Sequence, residues 1–110
     1  AKAYYKCIGL QDDRLEVYVA LADVLHFLGE FHEAIRVMLD ARESYKDQTE
    51  ITYRLGGLYF LVQKENEGTY FFEKALKADV DYLEIIKDIF PTIIDKKEVQ
   101  LLIKKFGNSY

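Results

Sequence analysis

Apolar residues return at helical intervals along most of the chain. Tyr18, Leu21, Ala22, Leu25 and Leu28 are spaced to fall on one face of a helix. Gly29 ends that run with a residue that takes left-handed backbone geometry at little steric cost. A second stripe, Phe31, Ala34, Ile35, Met38 and Ala41, begins at once. Two helices joined by so short a turn must run antiparallel. Alternation at period two is nowhere sustained, so strands are not expected. The pattern predicts helices over 14–28, 31–45, 48–63, 66–78, 82–90 and 97–106.

The pattern also repeats. Asp13 with Glu16, Asp47 with Glu50, and Asp81 with Glu84 recur at intervals of 34 residues. Aspartate followed three residues later by glutamate is a helix-start signal, because both side chains can accept from backbone N–H groups that the first turn leaves unpaired. Sliding the sequence by 34 aligns Tyr4, Met38, Phe72 and Phe106, and likewise Leu21, Leu55 and Ile89. Small residues share columns too: Cys7, Ala41, Ala75 and Ser109 in one, Ala34 and Gly68 in another. Periods of this length mean stacked units that cannot bury their apolar faces alone. A single domain over 1–110 is therefore expected, divided into 1–12, 13–46, 47–80 and 81–110. Ala1 to Ile8 reads as the end of a second helix from a preceding unit, which has the chain entering the array mid-unit.

These residues resemble the tetratricopeptide repeat (TPR), whose first helix carries an aromatic, Leu-Gly and Tyr, and whose second carries Ala and Phe. The match is literal at Leu55, Gly56, Tyr59, Phe72 and Ala75, with Gly68 in place of the family alanine. The preceding unit supplies Tyr18, Leu21, Ala22, Leu25, Gly29, Phe31, Ala34, Met38 and Ala41, departing at Ala22 for glycine and Leu25 for tyrosine. Lys46 and Val80 stand where the family closes its unit with proline. The resemblance covers Asp13 to Val80 and implies an all-α, right-handed superhelical solenoid of antiparallel helix pairs. The third unit is degenerate. Pro91 interrupts its first helix, so Phe90 is expected to end it, Pro91 to Asp95 to form a turn, and Lys96 to Phe106 to close the stack as a capping repeat.

Charge and chemistry narrow the function. A net charge of −4 with interspersed signs offers no extended positive field for nucleic acid. The same charge and the 34-residue period argue against an RNA-binding pentatricopeptide array. The lysines at 87, 96, 97, 104 and 105 read as a solvated closing face. No apolar run is long enough for a membrane span, and the single Cys7 excludes an internal disulfide. A cytoplasmic, reducing location is expected. His26 and His32 are six residues apart, which does not suit one metal, and Cys7 falls in a small-residue packing column. The carboxylate pairs Asp12 with Asp13 and Glu65 with Glu67 sit at helix starts, where the helix dipole accounts for them. No base, nucleophile and oxyanion donor converge, so neither an enzyme nor a cofactor is expected.

A protein or peptide partner is the remaining expectation. On the first helix of each unit a flank spaced 3, 4 and 3 residues is left beside the packing stripe: Glu16, Val19, Asp23 and His26, then Glu50, Tyr53, Gly57 and Phe60. The resemblance implies that such positions line a concave groove for a peptide. The candidate groove is thus Val19, Asp23, His26, Tyr53, Arg54, Gly57 and Phe60. Tyr53 and Phe60 are the expected apolar anchors, Gly57 leaves room for a close approach, and Arg54 is poised to reach a ligand carboxylate or carbonyl. Asp23 stands where some members begin a carboxylate clamp and would repel an anion. A second expectation is self-association, as a homo-oligomer through an apolar N-terminal end carrying Tyr4, Tyr5 and Ile8.

Overall fold

The computed structural model describes residues 14–46 and 48–107, and is helical almost throughout. The helices are α1 (Leu15–Phe27), α2 (Phe31–Ser44), α3 (Thr49–Leu61) and α4 (Glu65–Ala78). Then come the shorter α5 (Leu83–Ile89), α6 (Pro91–Ile94) and α7 (Lys97–Leu102), the last running on into a π-helical turn, Ile103–Gly107. The fold class is all-α, with no strand among the described residues. No helix among them is long and apolar enough to cross a membrane. The expected end of a preceding helix, Ala1 to Ile8, lies outside the described residues.

The 34-residue period survives in the backbone. At the end of α1, Gly29 has φ +80° and the Glu30 N–H donates to the Leu25 carbonyl at 2.8 Å. One period later Gln63 has φ +64° and the Lys64 N–H donates to the Tyr59 carbonyl at 2.9 Å. Both are the same left-handed helix stop, in which a bond back across five residues satisfies a terminal carbonyl. Only glycine adopts it without strain; Gln63 holds it against a cost of about 1 kcal/mol. The helix starts follow the acidic signature less closely. Glu16, Glu50 and Glu84 do fall in first turns. Asp13 and Asp47 lie outside the described residues, and Arg14 and Gln48 at the cap positions make no side-chain cap bond. Before α5, it is Asp79 Oδ1 that accepts from the Asp81 and Tyr82 N–H groups, at 3.1 and 3.4 Å, in the capping role expected of Asp81.

Packing runs in a row: α1 on α2, α2 on α3, α3 on α4, and α7 with its π turn on α4. Small residues set the closest approaches. A Cβ on Gly56 would stand 2.9 Å from the Phe72 backbone nitrogen, so α3 and α4 meet backbone to backbone. One on Gly68 would meet the Phe60 ring at 2.9 Å. Around these lie the largest buried side chains, Tyr53, Phe60, Phe72, Phe90 and Met38.

Beyond α4 the chain departs from the expected turn at Pro91. Pro91 opens a helical turn of its own, α6, instead of a loop. At the first position of a helix the missing N–H is one that no carbonyl needed. The sharp change of direction falls at Phe90, with φ −123° and ψ 59°, and it drives that ring inward.

Candidate functional site at the inner helix flank

The seven candidate residues lie on α1 and α3, and the structure sorts them into three groups. Tyr53 and Phe60 are core residues, 0% and 1% exposed. The Tyr53 hydroxyl donates to the Asp79 carbonyl at 2.6 Å, and its ring meets Phe72 edge-on at 5.5 Å and stacks on Tyr82 at 5.7 Å. Phe60 meets Phe72 edge-on at 6.3 Å and fills the space left by Gly68. Neither ring is available as an anchor for a partner. Spacing along α3 defines a flank of that helix alone, whereas α3 lies between α2 and α4 and is buried at every position from Ile51 to Leu58.

Arg54 and Asp23 form the second group, joined to each other. Arg54 Nε donates to Asp23 Oδ1 at 2.8 Å and Nη2 to Oδ2 at 3.0 Å, a two-pronged pair across α1 and α3. Nη1 donates to the Glu50 carbonyl at 3.1 Å and to the Tyr82 hydroxyl at 2.9 Å. Burial alone would lower the Arg54 pKa; its bonds to Asp23 and Tyr82 outweigh that and leave it above its ordinary value. The guanidinium expected to reach a ligand is committed to its own chain, and so is the carboxylate expected to repel an anion.

His26, Gly57 and Val19 make the third group. The close approach that Gly57 invites comes from Phe90, whose ring atoms lie 2.8 Å from where a glycine replacement would place its Cβ. The other face of the slot is His26, stacked on Phe90 at 4.6 Å with 15° between the ring planes. Val19 is half-buried against the core. Tyr82 and Phe90 thus fill the inner flank from within the chain. Neither was singled out by periodicity, because both sit where the third repeat loses its pattern.

Burial pushes the His26 pKa below its ordinary value; Asp23 acts against that shift and Arg54 with it. The unfolded chain therefore takes up this proton first as pH falls. Stability is expected to decline as pH drops below about 6.5, until the folded value is passed. Urea midpoints measured from pH 7.5 down to about 5 are expected to show that decline, and His26→Phe, which keeps a ring on Phe90, to remove it. Identical slopes for the two chains would show that His26 titrates alike in the folded and unfolded states.

Beside the filled flank one apolar hollow stays open. It has a volume of about 340 Å³ and is lined by His26, Phe27, Phe31 and Leu61 on one side and Asp88, Ile89 and Pro91 on the other. Phe27 at its mouth is 93% exposed. Phe27 belongs to neither the packing face nor the inner flank of α1, so spacing does not single it out; its signal is a large aromatic on a helix that is apolar over most of its surface. Comparison with protein-family models, with curated proteins and with solved structures returns no match.

Proposed function

We propose that the chain is a non-enzymatic protein-interaction module of the tetratricopeptide kind, a superhelical stack that holds a segment of a protein partner. The observation that carries this reading is the exposed Phe27 ring at the mouth of an apolar hollow, since large aromatics left in water beside a concave surface are where partners gain most on desolvation. Asp88 is the one formal charge in the hollow's lining, so the segment it favours has an apolar side chain next to a basic one. This reading puts the partner at the hollow and not between Tyr53 and Phe60, because those two rings are buried whereas Phe27 is exposed beside a concave apolar lining. A cytoplasmic setting without nucleic acid or membrane contacts belongs to the same reading, supported by the acidic net charge of −4.

A second reading is favoured by Tyr82 and Phe90: a chain that fills its own inner flank serves as a structural segment of a longer repeat protein. Affinity capture separates the two. Phe27→Ser removes an exposed ring and is expected to leave the melting temperature unchanged while lowering recovery of a bound protein by roughly tenfold or more. Equal recovery by the two chains would move the function to the structural reading.

A further inference from the structure

Positive charge gathers at one end of the fold. Residues 96–105 carry four lysines and one glutamate, although the chain as a whole stands at −4. They lie at the start of α7, along it, and on the π turn that continues it. Val99 is fully buried, and α7 packs on α4. Lys97, Gln100, Leu101 and Lys104 share the side of the helix opposite Val99, and all four are exposed. Gln100 is pinned there, its side-chain amide donating to the Ile94 carbonyl. A hollow of about 320 Å³ on this face is lined by Lys97, Gln100, Leu101, Ile103 and Lys104, with no carboxylate among these described residues. A face that only closes a stack in water needs charge alone, best of both signs. Here Leu101 is 58% exposed at the centre, with a lysine about one turn to either side. Lys77 and Lys87 pair with Glu73 and Glu84, whereas Lys97 and Lys104 form no ion pair with a described residue.

We propose that this face of α7 binds an acidic protein segment in which an apolar side chain stands between two carboxylates. Charge complementarity selects the occupant: two unpaired ammonium groups with apolar surface between them are matched by the opposite charges about an apolar residue. The spacing fits as well. Lys97 and Lys104 are two helical turns apart, roughly 10 Å along the axis. In an extended segment, side chains at alternate positions point the same way, so a first and a fifth residue stand about 13 Å apart with the third between them. The flexible four-carbon lysine stems take up the difference. The face therefore selects acidic, apolar and acidic side chains at alternate positions. The hollow at Phe27, with Asp88 in its lining, favours a basic segment, so the two surfaces take different occupants. The proposal stands whether or not that hollow binds a protein.

The probe is the end-blocked peptide Glu-Ser-Leu-Ser-Glu, titrated into the isotope-labelled full chain at low salt and followed through amide chemical shifts. Saturable shifts centred on residues 96–105 are expected, with affinity falling at least about fivefold as salt is raised past physiological strength. Lys97→Gln with Lys104→Gln, and separately Leu101→Ser, are each expected to weaken binding at least about fivefold. All three side chains are exposed, so melting temperatures are expected to stay unchanged. Phe27→Ser is expected to bind the peptide as the unaltered chain does, and the peptides Gln-Ser-Leu-Ser-Gln and Glu-Ser-Ser-Ser-Glu to bind more weakly. Absence of saturable shifts overturns the proposal, as do shifts centred on another surface. Equal binding by Leu101→Ser also overturns it, reducing the face to unspecific charge attraction. Shifts produced by phosphatidylserine vesicles and not by the peptide would assign the face to a membrane, and shifts produced by raising the chain concentration alone would assign it to a second copy; either result overturns the proposal.

Discussion

Alanine at both Tyr53 and Phe60 is expected to leave the chain largely unfolded at 25 °C. Each ring is buried to within 1% of completely, and replacing a buried aromatic by alanine costs about 3–5 kcal/mol in lost transfer energy and residual cavity. Both rings touch Phe72, so the two losses share a neighbour and do not add in full; a combined cost of about 5–8 kcal/mol follows. That is comparable with the whole stability of an ordinary domain, about 5–15 kcal/mol. Tyr53→Phe is the control. It keeps the ring and removes only the donor to the Asp79 carbonyl, for about 1 kcal/mol. Urea melts followed by circular dichroism check the series. A double variant with native helicity and an unshifted midpoint would put both rings back on the surface. If the expected unfolding is seen, loss of a partner in that variant carries no information about a groove, and Phe27 is the position at which binding must be tested.

The first four helices were legible because each carries its own evidence: an apolar stripe at helical spacing and a stop at a fixed interval. Gly29 announced its turn by residue type. Gln63 did so only by its place one period later, and the backbone confirms that place with the same positive φ. Pro91 was read correctly as a break, but its effect is to open α6 and to aim Phe90 inward.

The candidate flank was legible in part. Periodicity tells which residues share a face of one helix; it does not tell how many neighbours that helix has. On α1, the first helix among the described residues, Asp23 and His26 remain partly exposed. On α3, one step inward, the same positions are enclosed. Gly57 shows the limit well, since a glycine inside a helix does mark a close approach, yet nothing in its spacing identifies Phe90, thirty-three residues later, as the visitor.

Removing the carboxylate of Asp23 is expected to cost more than removing the arginine it holds. The Arg54 side chain is 5% exposed and that of Asp23 32%, so the two ends of the pair have different alternatives. In Asp23→Ala the guanidinium keeps the Glu50 carbonyl and the Tyr82 hydroxyl but loses its counter-charge in a place water scarcely reaches. A cost of about 2–4 kcal/mol is expected, somewhat below that of a fully buried pair because the site opens toward solvent at Asp23. In Arg54→Met the stem's packing is largely kept, Asp23 turns to water, and only Tyr82 and the Glu50 carbonyl lose a partner, for about 1–2 kcal/mol. The double variant Asp23→Ala/Arg54→Met is expected to be more stable than Asp23→Ala alone, because no charge is left buried without a partner. Urea midpoints for the four chains at neutral pH close the cycle. An Asp23→Ala cost under about 0.5 kcal/mol would reduce the pair to a surface contact. The expected order instead makes Arg54 the tie that joins α1, α3 and Tyr82, and through Tyr82 anchors the start of the segment that carries Phe90 into the slot between His26 and Gly57.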